Sequence, residues 1–406
     1  MIFVQNQNTQ LTSAPKISLA TMLILGAGWF ASNFFWGFYS GSMPLFLNKY
    51  TQSKFLISLI LGSAGLASCV VPPVVGYFSD RASRFGRRKP FVVAGGLGVM
   101  LCLAALPHLK IYGTVAALSV VLYLCIAMAE TPLYALLPDL TPVEQRSTVS
   151  GVVHLLGSFG LIVFFILSSL IWDAYPTAVF RMVAFVTFGA MMVVVVLIKE
   201  PGRSEALPRR SLKLGEYLSS IGRETQAMRY FAVQFFVWMG FYLIASFLPL
   251  FIVEELGATE GDSYYVPMAL TVVSTLAMVP MGMLGDRAGR KRILSVMLAF
   301  WAVVGLGIGF CSNLSQTIIA VGLTGLPFAT ILGVGYAYML DLIPRERTAE
   351  FVGFSIFSIS LPMVLGTVLA GKLIDLFGFR SLFPIASLMM FIGLVILQFT
   401  RPRTEN

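Results

Sequence analysis

One acid stands inside a stretch that otherwise carries no charge between Lys110 and Asp139: Glu130, followed by Thr131-Pro132. It lies about seven residues before the end of the apolar run, roughly 10 Å along a helix axis. A carboxyl at that depth is expensive unless it faces a wet cavity or a partner, and such groups usually carry function. Glu130 has the chemistry to hold a proton or Na⁺, or to accept hydrogen bonds from solute hydroxyls; a purely structural, hydrogen-bonded acid is the alternative. Tyr123 and Tyr134 stand seven residues before and four after it, so the three share one helical face. His154 opens the next apolar run at a similar depth. Imidazole titrates near neutral pH, so a Glu130–His154 pair is one reading and a structural histidine the other.

Two aromatic and amide stripes complete the set. Asn33, Trp36 and Tyr39 recur at spacings of three, and Gln234, Trp238 and Tyr242 at spacings of four. Flat rings against C–H faces and amides for hydroxyls suit a polar small-molecule solute. The same rings serve equally well as packing or as anchors at a lipid interface. Tyr336, in a repeated phrase described below, joins the candidate solute and cation site.

These side chains need elements that cross a membrane. The chain is 57% hydrophobic and 12% charged, with a mean hydropathy of +0.85, which excludes an ordinary soluble domain. A spanning helix needs roughly 20 apolar residues. Twelve segments qualify, near 18–46, 56–78, 91–108, 112–137, 150–172, 179–198, 230–253, 264–284, 293–312, 316–340, 350–374 and 381–400.

The halves repeat. Gly76-Tyr77-Phe78-Ser79-Asp80-Arg81 runs on to Arg84, Gly86, Arg87, Arg88 and Lys89; Gly282-Met283-Leu284-Gly285-Asp286-Arg287 runs on to Gly289, Arg290, Lys291 and Arg292. Tyr134-Ala135 through Asp139-Leu140-Thr141-Pro142 matches Tyr336-Ala337 through Asp341-Leu342-Ile343-Pro344, with Glu144 and Glu346 in register. Pro44-Leu45-Phe46 matches Pro249-Leu250-Phe251. An internal duplication explains all three, and it aligns Glu130 with Leu332. The expected domains are 1–198, a cytoplasmic linker at 199–229 carrying a short amphipathic helix, and 230–406.

The paired basic loops resemble the signature of major facilitator superfamily transporters. That resemblance implies an all-α integral membrane protein with twelve transmembrane helices in two pseudo-symmetric six-helix halves and a midplane site between them. Residues 60–151 more narrowly resemble the glycoside–pentoside–hexuronide:cation symporters and the sucrose:proton symporters. The fourth helix departs from the sucrose group by placing Tyr123 and Tyr134 where those proteins carry an Asp and an Arg.

In the loops, the glycines Gly76, Gly86, Gly282 and Gly289 allow close helix approach. Asp80 and Asp286 are expected to face helix N-termini of the opposite half. Arg81, Arg84, Arg87, Arg88, Arg287 and Arg290 are expected to pair with Asp139, Glu144, Asp341 and Glu346. Contacts that form when the inner side closes would bias the conformational equilibrium; enforcing topology alone is the alternative.

Orientation follows from charge. With both termini cytoplasmic, 22 of the 28 Lys and Arg fall on the inner side, as the positive-inside rule requires. The net charge of +9 is thus a topology signal, with no reason to invoke nucleic acid. The four cysteines stand singly in apolar runs, without metal-binding spacing. No nucleotide-binding loop, His cluster or nucleophile motif points to an enzyme, and no cofactor is expected. The expectation is a monomeric secondary transporter in the plasma (inner) membrane, surrounded by lipid. It would carry a sugar, glycoside or similar solute by symport with H⁺ or Na⁺; efflux of amphipathic compounds is the alternative.

Overall fold

The computed structural model describes residues 17–81, 88–142, 145–200, 222–344 and 347–402. Within them twelve helices are long and apolar enough to cross a membrane: α1 (Leu19–Asn48), α2 (Lys54–Ser79), α3 (Lys89–His108), α4 (Tyr112–Leu140), α5 (Thr148–Ile171), α6 (Pro176–Leu197), α7 (Thr225–Glu254), α8 (Asp262–Ala288), α9 (Arg290–Ile308), α10 (Leu314–Leu342), α11 (Glu350–Phe377) and α12 (Phe379–Gln398). Each matches one predicted segment to within about five residues. The described residues contain no strand, as expected where lipid leaves backbone groups no partner outside their own helix. The chain is an integral membrane protein. The amphipathic helix expected within 199–229 falls largely on residues 201–221, outside the described residues.

The duplication reappears as packing. α1 packs on α5 and α6, α2 on α4, and α3 on α4 and α6; α7 packs on α11 and α12, α8 on α10, and α9 on α10 and α12. Adding six to each member of the first set gives the second. The two sets meet through α2 against α11 and α5 against α8, which is again one pairing and its image. At the α2–α11 seam the backbones come close: a Cβ on Gly65 would stand 3.1 Å from the Ser360 carbonyl oxygen.

The repeated Pro-Leu-Phe phrase has a physical effect. α1 breaks at Ser42 between Leu19–Gly41 and Met43–Asn48, and α7 breaks after Ala245 before Leu248–Glu254. Pro44 and Pro249 each sit in the first turn of the second piece. Lacking an N–H, they cannot bond the carbonyl one turn back and so end the preceding helix. α4 carries two prolines, Pro132 and Pro138, the first two residues beyond Glu130.

The two ends of the bundle differ. One, the basic end, holds the Asp286 loop, the last described residues and the termini of α2 and α10; the other is the far end. A single hydrophobic core runs through the first six spans and continues into the far-end portions of the last six, through Phe247, Phe251, Tyr264 and Phe383. The basic-end portions of the last six spans form a separate core around Tyr230, Trp301, Tyr338 and Phe351.

Candidate functional site

Polar contacts between the two sets of spans follow the same division. Among the described residues they cluster toward the far end. Lys54 Nζ, on a residue only 5% exposed, meets Glu254 at 2.6 Å. Asp375 of α11 accepts from Ser53 Oγ at 2.7 Å, from the Lys54 backbone N–H at 2.7 Å and from the Phe55 N–H at 3.0 Å. It thereby caps the first turn of α2, where three N–H groups have no helical partner. Lys49 pairs with Glu260 at 3.3 Å, and Ser42 and Tyr264 share a buried hydroxyl–hydroxyl bond of 2.7 Å. The structure is closed at this end.

Between the two sets lies a cavity of ≈ 410 Å³. Asn33, Trp36 and Tyr39 of α1 line it opposite Trp238 and Tyr242 of α7, so five of the predicted residues come together. Sequence reasoning missed Ser40, Ser68, Phe241, Ser246, Phe328, Ser360 and Met363, which also line it. Phe241 stands three residues after Trp238 and Ser40 seven after Asn33, so helical spacing held a signal for those two. No comparable pattern marks Ser68, whose hydroxyl bonds the Ala64 carbonyl as helical serines commonly do. The lining carries no Asp, Glu, Lys or Arg.

Glu130 stands one side chain behind this wall. Its Oε1 accepts from the Trp36 indole N–H at 2.9 Å and from the Tyr134 hydroxyl at 3.2 Å, and the residue is 7% exposed. Trp36 thus shows its ring to the cavity and its N–H to the acid. Edge-to-face rings support it: Trp36 against Tyr39 at 5.2 Å and Tyr39 against Tyr123 at 5.6 Å. The Tyr39 hydroxyl donates to the Leu61 carbonyl at 3.0 Å. The Tyr123 hydroxyl is buried without a partner.

Three expectations are corrected. Glu130 and His154 form no pair among the described residues. Trp29 intervenes, its ring tilted against Tyr134 at 4.9 Å and against His154 at 6.2 Å, while His154 Nδ1 lies 2.8 Å from the Ser150 carbonyl. His154 instead lines a second cavity of ≈ 290 Å³, which shares Asn33, Ser40, Phe241 and Phe328 with the first. Gln234 lies off both cavities, buried and accepting from Ser358 Oγ of α11 at 2.9 Å. A four-residue spacing puts it on the face of Trp238, yet one turn lower that face meets a helix rather than the cavity. Tyr336 is 47% exposed and lines neither cavity.

At the basic end the two loops reproduce one ion pair. Arg88 meets Asp139 at 2.6 Å and Arg290 meets Asp341 at 2.7 Å, and both residues of each pair are offset by 202 positions. Each pair ties the start of one helix to the end of the next within its own set of spans. Two of the expected acids are thus met, and one further expectation is corrected: Asp286 pairs with Arg290 at 3.2 Å rather than with the opposite half. Gly76 and Gly282 meet nothing within 4 Å of an added Cβ; Gly285 makes the close approach, 2.9 Å from Val334. Gly289 has φ +94°, a turn only glycine enters readily. Arg287 is exposed. The side chains of Asp80 and Arg81, and Arg84, Gly86, Arg87, Glu144 and Glu346 entirely, lie outside the described residues. A larger cavity, ≈ 770 Å³, is also at this end, among Asp286, Arg290, Lys291 and Asp341. It belongs to the last six spans alone; Asp286, Arg290 and Asp341 are committed to one another and Lys291 to the carbonyls of Gln398 and Thr400.

Comparison with known proteins places this geometry. The profile of the Major Facilitator Superfamily matches residues 25–269 and 230–406. The chain is 32% identical over 174 residues to the multidrug resistance protein MdtG of Proteus mirabilis, covering 41% of this chain and 42% of that protein. The match therefore spans about two fifths of that relative's length. Among solved structures, nucleoside transporter NupG superposes with a TM-score of 0.78 at 12% identity, over 93% of this chain and 99% of that one. The D-xylose-proton symporter superposes at 0.74 and 14% identity, over 95% and 98%. These identities are low enough that the likeness speaks to fold alone.

Proposed function

From the premise that this chain belongs to the Major Facilitator Superfamily, and is a membrane transporter rather than an enzyme, we propose that it carries a neutral polar solute by proton-coupled symport. A sugar, glycoside or similar molecule is the solute class. The observation that carries this reading is the lining of the ≈ 410 Å³ cavity: six aromatic rings, Trp36, Tyr39, Trp238, Phe241, Tyr242 and Phe328, interleaved with four serines and Asn33, and no formal charge. Hydroxyls and amides fix a polyhydroxy solute while rings cover its C–H faces. A charged solute would find nothing of opposite sign to replace its hydration. Glu130, behind Trp36, is the single carboxyl in reach among the described residues and is the proposed coupling group. The likeness of residues 60–151 to the glycoside and sucrose symporters supports the same assignment.

In this reading the basic end is cytoplasmic, the protein lies as a monomer in the plasma (inner) membrane, and the six-span sets, joined by residues 199–229, rock about the α2–α11 and α5–α8 seams. The far-end contacts then close the outer side. The Arg88–Asp139 and Arg290–Asp341 pairs hold each set rigid as it moves.

A second reading has a specific observation behind it. The local identity to a multidrug resistance protein, together with Phe241, Phe328, Leu161 and Met363 in the lining, fits export of amphipathic compounds. Proteoliposomes separate the two. With an imposed inward proton gradient, radiolabelled sugars and glycosides should accumulate above equilibrium, and ethidium should not move. Proton-driven ethidium extrusion without sugar accumulation would reverse the assignment.

A further inference from the structure

We infer that Trp36 is a positioning residue that couples the content of the cavity to the protonation of Glu130, and that the ion so coupled is H⁺ rather than Na⁺. This rests on the symport reading for its purpose, though not for its geometry. The indole has two faces toward two clients. Its ring forms part of the cavity wall, and its N–H lies 2.9 Å from Glu130 Oε1. Any solute that presses on or stacks against the ring must move that N–H relative to the carboxyl. The N–H stabilises the anion, so a change in its alignment changes the proton affinity of the site. The coupling therefore requires no contact between solute and carboxyl.

The surroundings select the proton. A Trp N–H is a donor only, and the Tyr134 hydroxyl donates to the same oxygen. Both turn positive hydrogen toward the place where a metal ion would sit. Sodium needs several oxygen ligands; beside the carboxyl stand the Tyr134 hydroxyl, which already donates to it, and Ser32 Oγ, buried without a bond of good geometry. A proton needs a single acceptor, and protonated Glu130 gains a donor that Ser32 Oγ can accept. The helices packed against α4 bring no ion pair to Glu130 among the described residues. Their titratable groups nearby are otherwise engaged or uncharged: Tyr39 bonds Leu61, Cys102 and Cys69 are thiols, and His154 turns to Ser150 behind Trp29.

The test titrates the purified protein in detergent between pH 5 and 10 and follows the infrared stretch of the protonated carboxyl that Glu130→Gln abolishes. Trp36→Phe keeps a ring and removes the N–H. The midpoint should rise, with proton affinity increasing roughly ten- to a hundredfold, the scale of one lost hydrogen bond to a charged group. Tyr134→Phe, which removes the longer bond, should move it in the same direction and less, and serves if Trp36→Phe folds poorly. Sodium chloride at 100 mM in place of potassium chloride should leave the wild-type midpoint where it is. An unshifted midpoint in the folded variants overturns the positioning role, and a sodium-dependent shift in the wild type overturns the choice of ion. Both results are read without transport. A shifted midpoint in a protein that accumulates no solute under a proton gradient would instead reject the symport reading and leave the Trp36–Glu130 link standing.

Discussion

The first six spans and the last six have the same packing map, with each helix pair of one repeated six spans later in the other. They break at matched prolines and share one matched ion pair at the basic end. They differ in chemistry at the depth of the cavity. Glu130 of α4 corresponds to Leu332 of α10; the acid is 7% exposed and doubly bonded, whereas the leucine is 39% exposed and lines the smaller cavity. In the proposed rocking the scaffold demands symmetry, because two equivalent bodies move about the matched α2–α11 and α5–α8 seams. A coupling group of the kind proposed needs only one copy, and Glu130 sits where an aromatic residue of α1 reaches both it and the cavity.

That comparison breaks most visibly if its one acid is neutralised. Glu130→Gln keeps size and hydrogen-bonding capacity and removes titration. Uphill accumulation should fall to the equilibrium ratio, while exchange of solute down its own gradient survives. Leu332→Glu, introduced alongside it, should not restore accumulation, because Leu332 lines the smaller cavity directly and is 39% exposed, so a carboxyl there would not stand buried behind the wall as Glu130 does. If both modes of transport fail and affinity drops by about 1.5–3 kcal/mol, Glu130 binds solute rather than the coupling ion. If accumulation persists with an unchanged pH profile, the carboxyl is structural.

The shared ion pair is the next point of leverage, because its two copies are buried differently. The Arg88 side chain is 9% exposed and its partner Asp139 23%; Arg290 and Asp341 are each 36% exposed, and Arg290 keeps Asp286 as a second partner. Asp139→Ala therefore takes the ion-pair partner from a buried guanidinium and should cost about 3–5 kcal/mol. Asp341→Ala removes a half-exposed contact with a substitute at hand, and about 0–1 kcal/mol is expected. Thermal unfolding in detergent measures both, and equal losses would mean that burial does not set the difference.

Much of this was legible in the sequence, and the failures have physical causes. All twelve spans follow from hydropathy because lipid imposes a length on any apolar helix. Glu130 was conspicuous because a lone acid in an apolar run has few bland explanations. Trp36 was visible as part of an aromatic stripe, yet periodicity names a face and not what lies against it. The same limit misplaced Gln234, which meets Ser358. Lys54–Glu254 and Asp375 over the start of α2 join residues 200 to 322 positions apart, and nothing local announces such partners. Arg88 and Arg290 of the basic loops found two of the expected acids, Asp139 and Asp341, each within its own set of spans.

The contrast between the two ends sharpens next. Asp375 is a charge from the last six spans that caps a helix of the first six, so it should hold the far end shut. Asp375→Asn loses charge-assisted acceptance of two backbone N–H groups and one hydroxyl, and the closed state should lose roughly 1–2 kcal/mol relative to its alternative. Spin labels on cysteines at Gln52 and Thr259, one on each set of spans at the far end, should report a larger population of long distances. An unchanged distribution would reduce Asp375 to a local cap with no part in closure.

The smallest effect tests the glycines, and it is the one that can separate the two ends most cleanly. Gly76 and Gly282 have open space where a Cβ would go, whereas Gly285 faces Val334 at 2.9 Å. Gly282→Ala should thus fit this state without strain and favour its helix by about 0.4–1 kcal/mol, since alanine loses less backbone entropy. Gly285→Ala must push Val334 aside and should destabilise instead. If Gly76 and Gly282 are needed for the basic end to close, the alanine variants penalise only that other state. The population closed at the far end should then grow in both, with shorter distances between the Gln52 and Thr259 labels and slower solute turnover. Should Gly282→Ala raise thermal stability while leaving both the distance distribution and the turnover rate unchanged, the glycines of the basic loops have no role in closing, and the matched phrase there keeps only its charges to explain it.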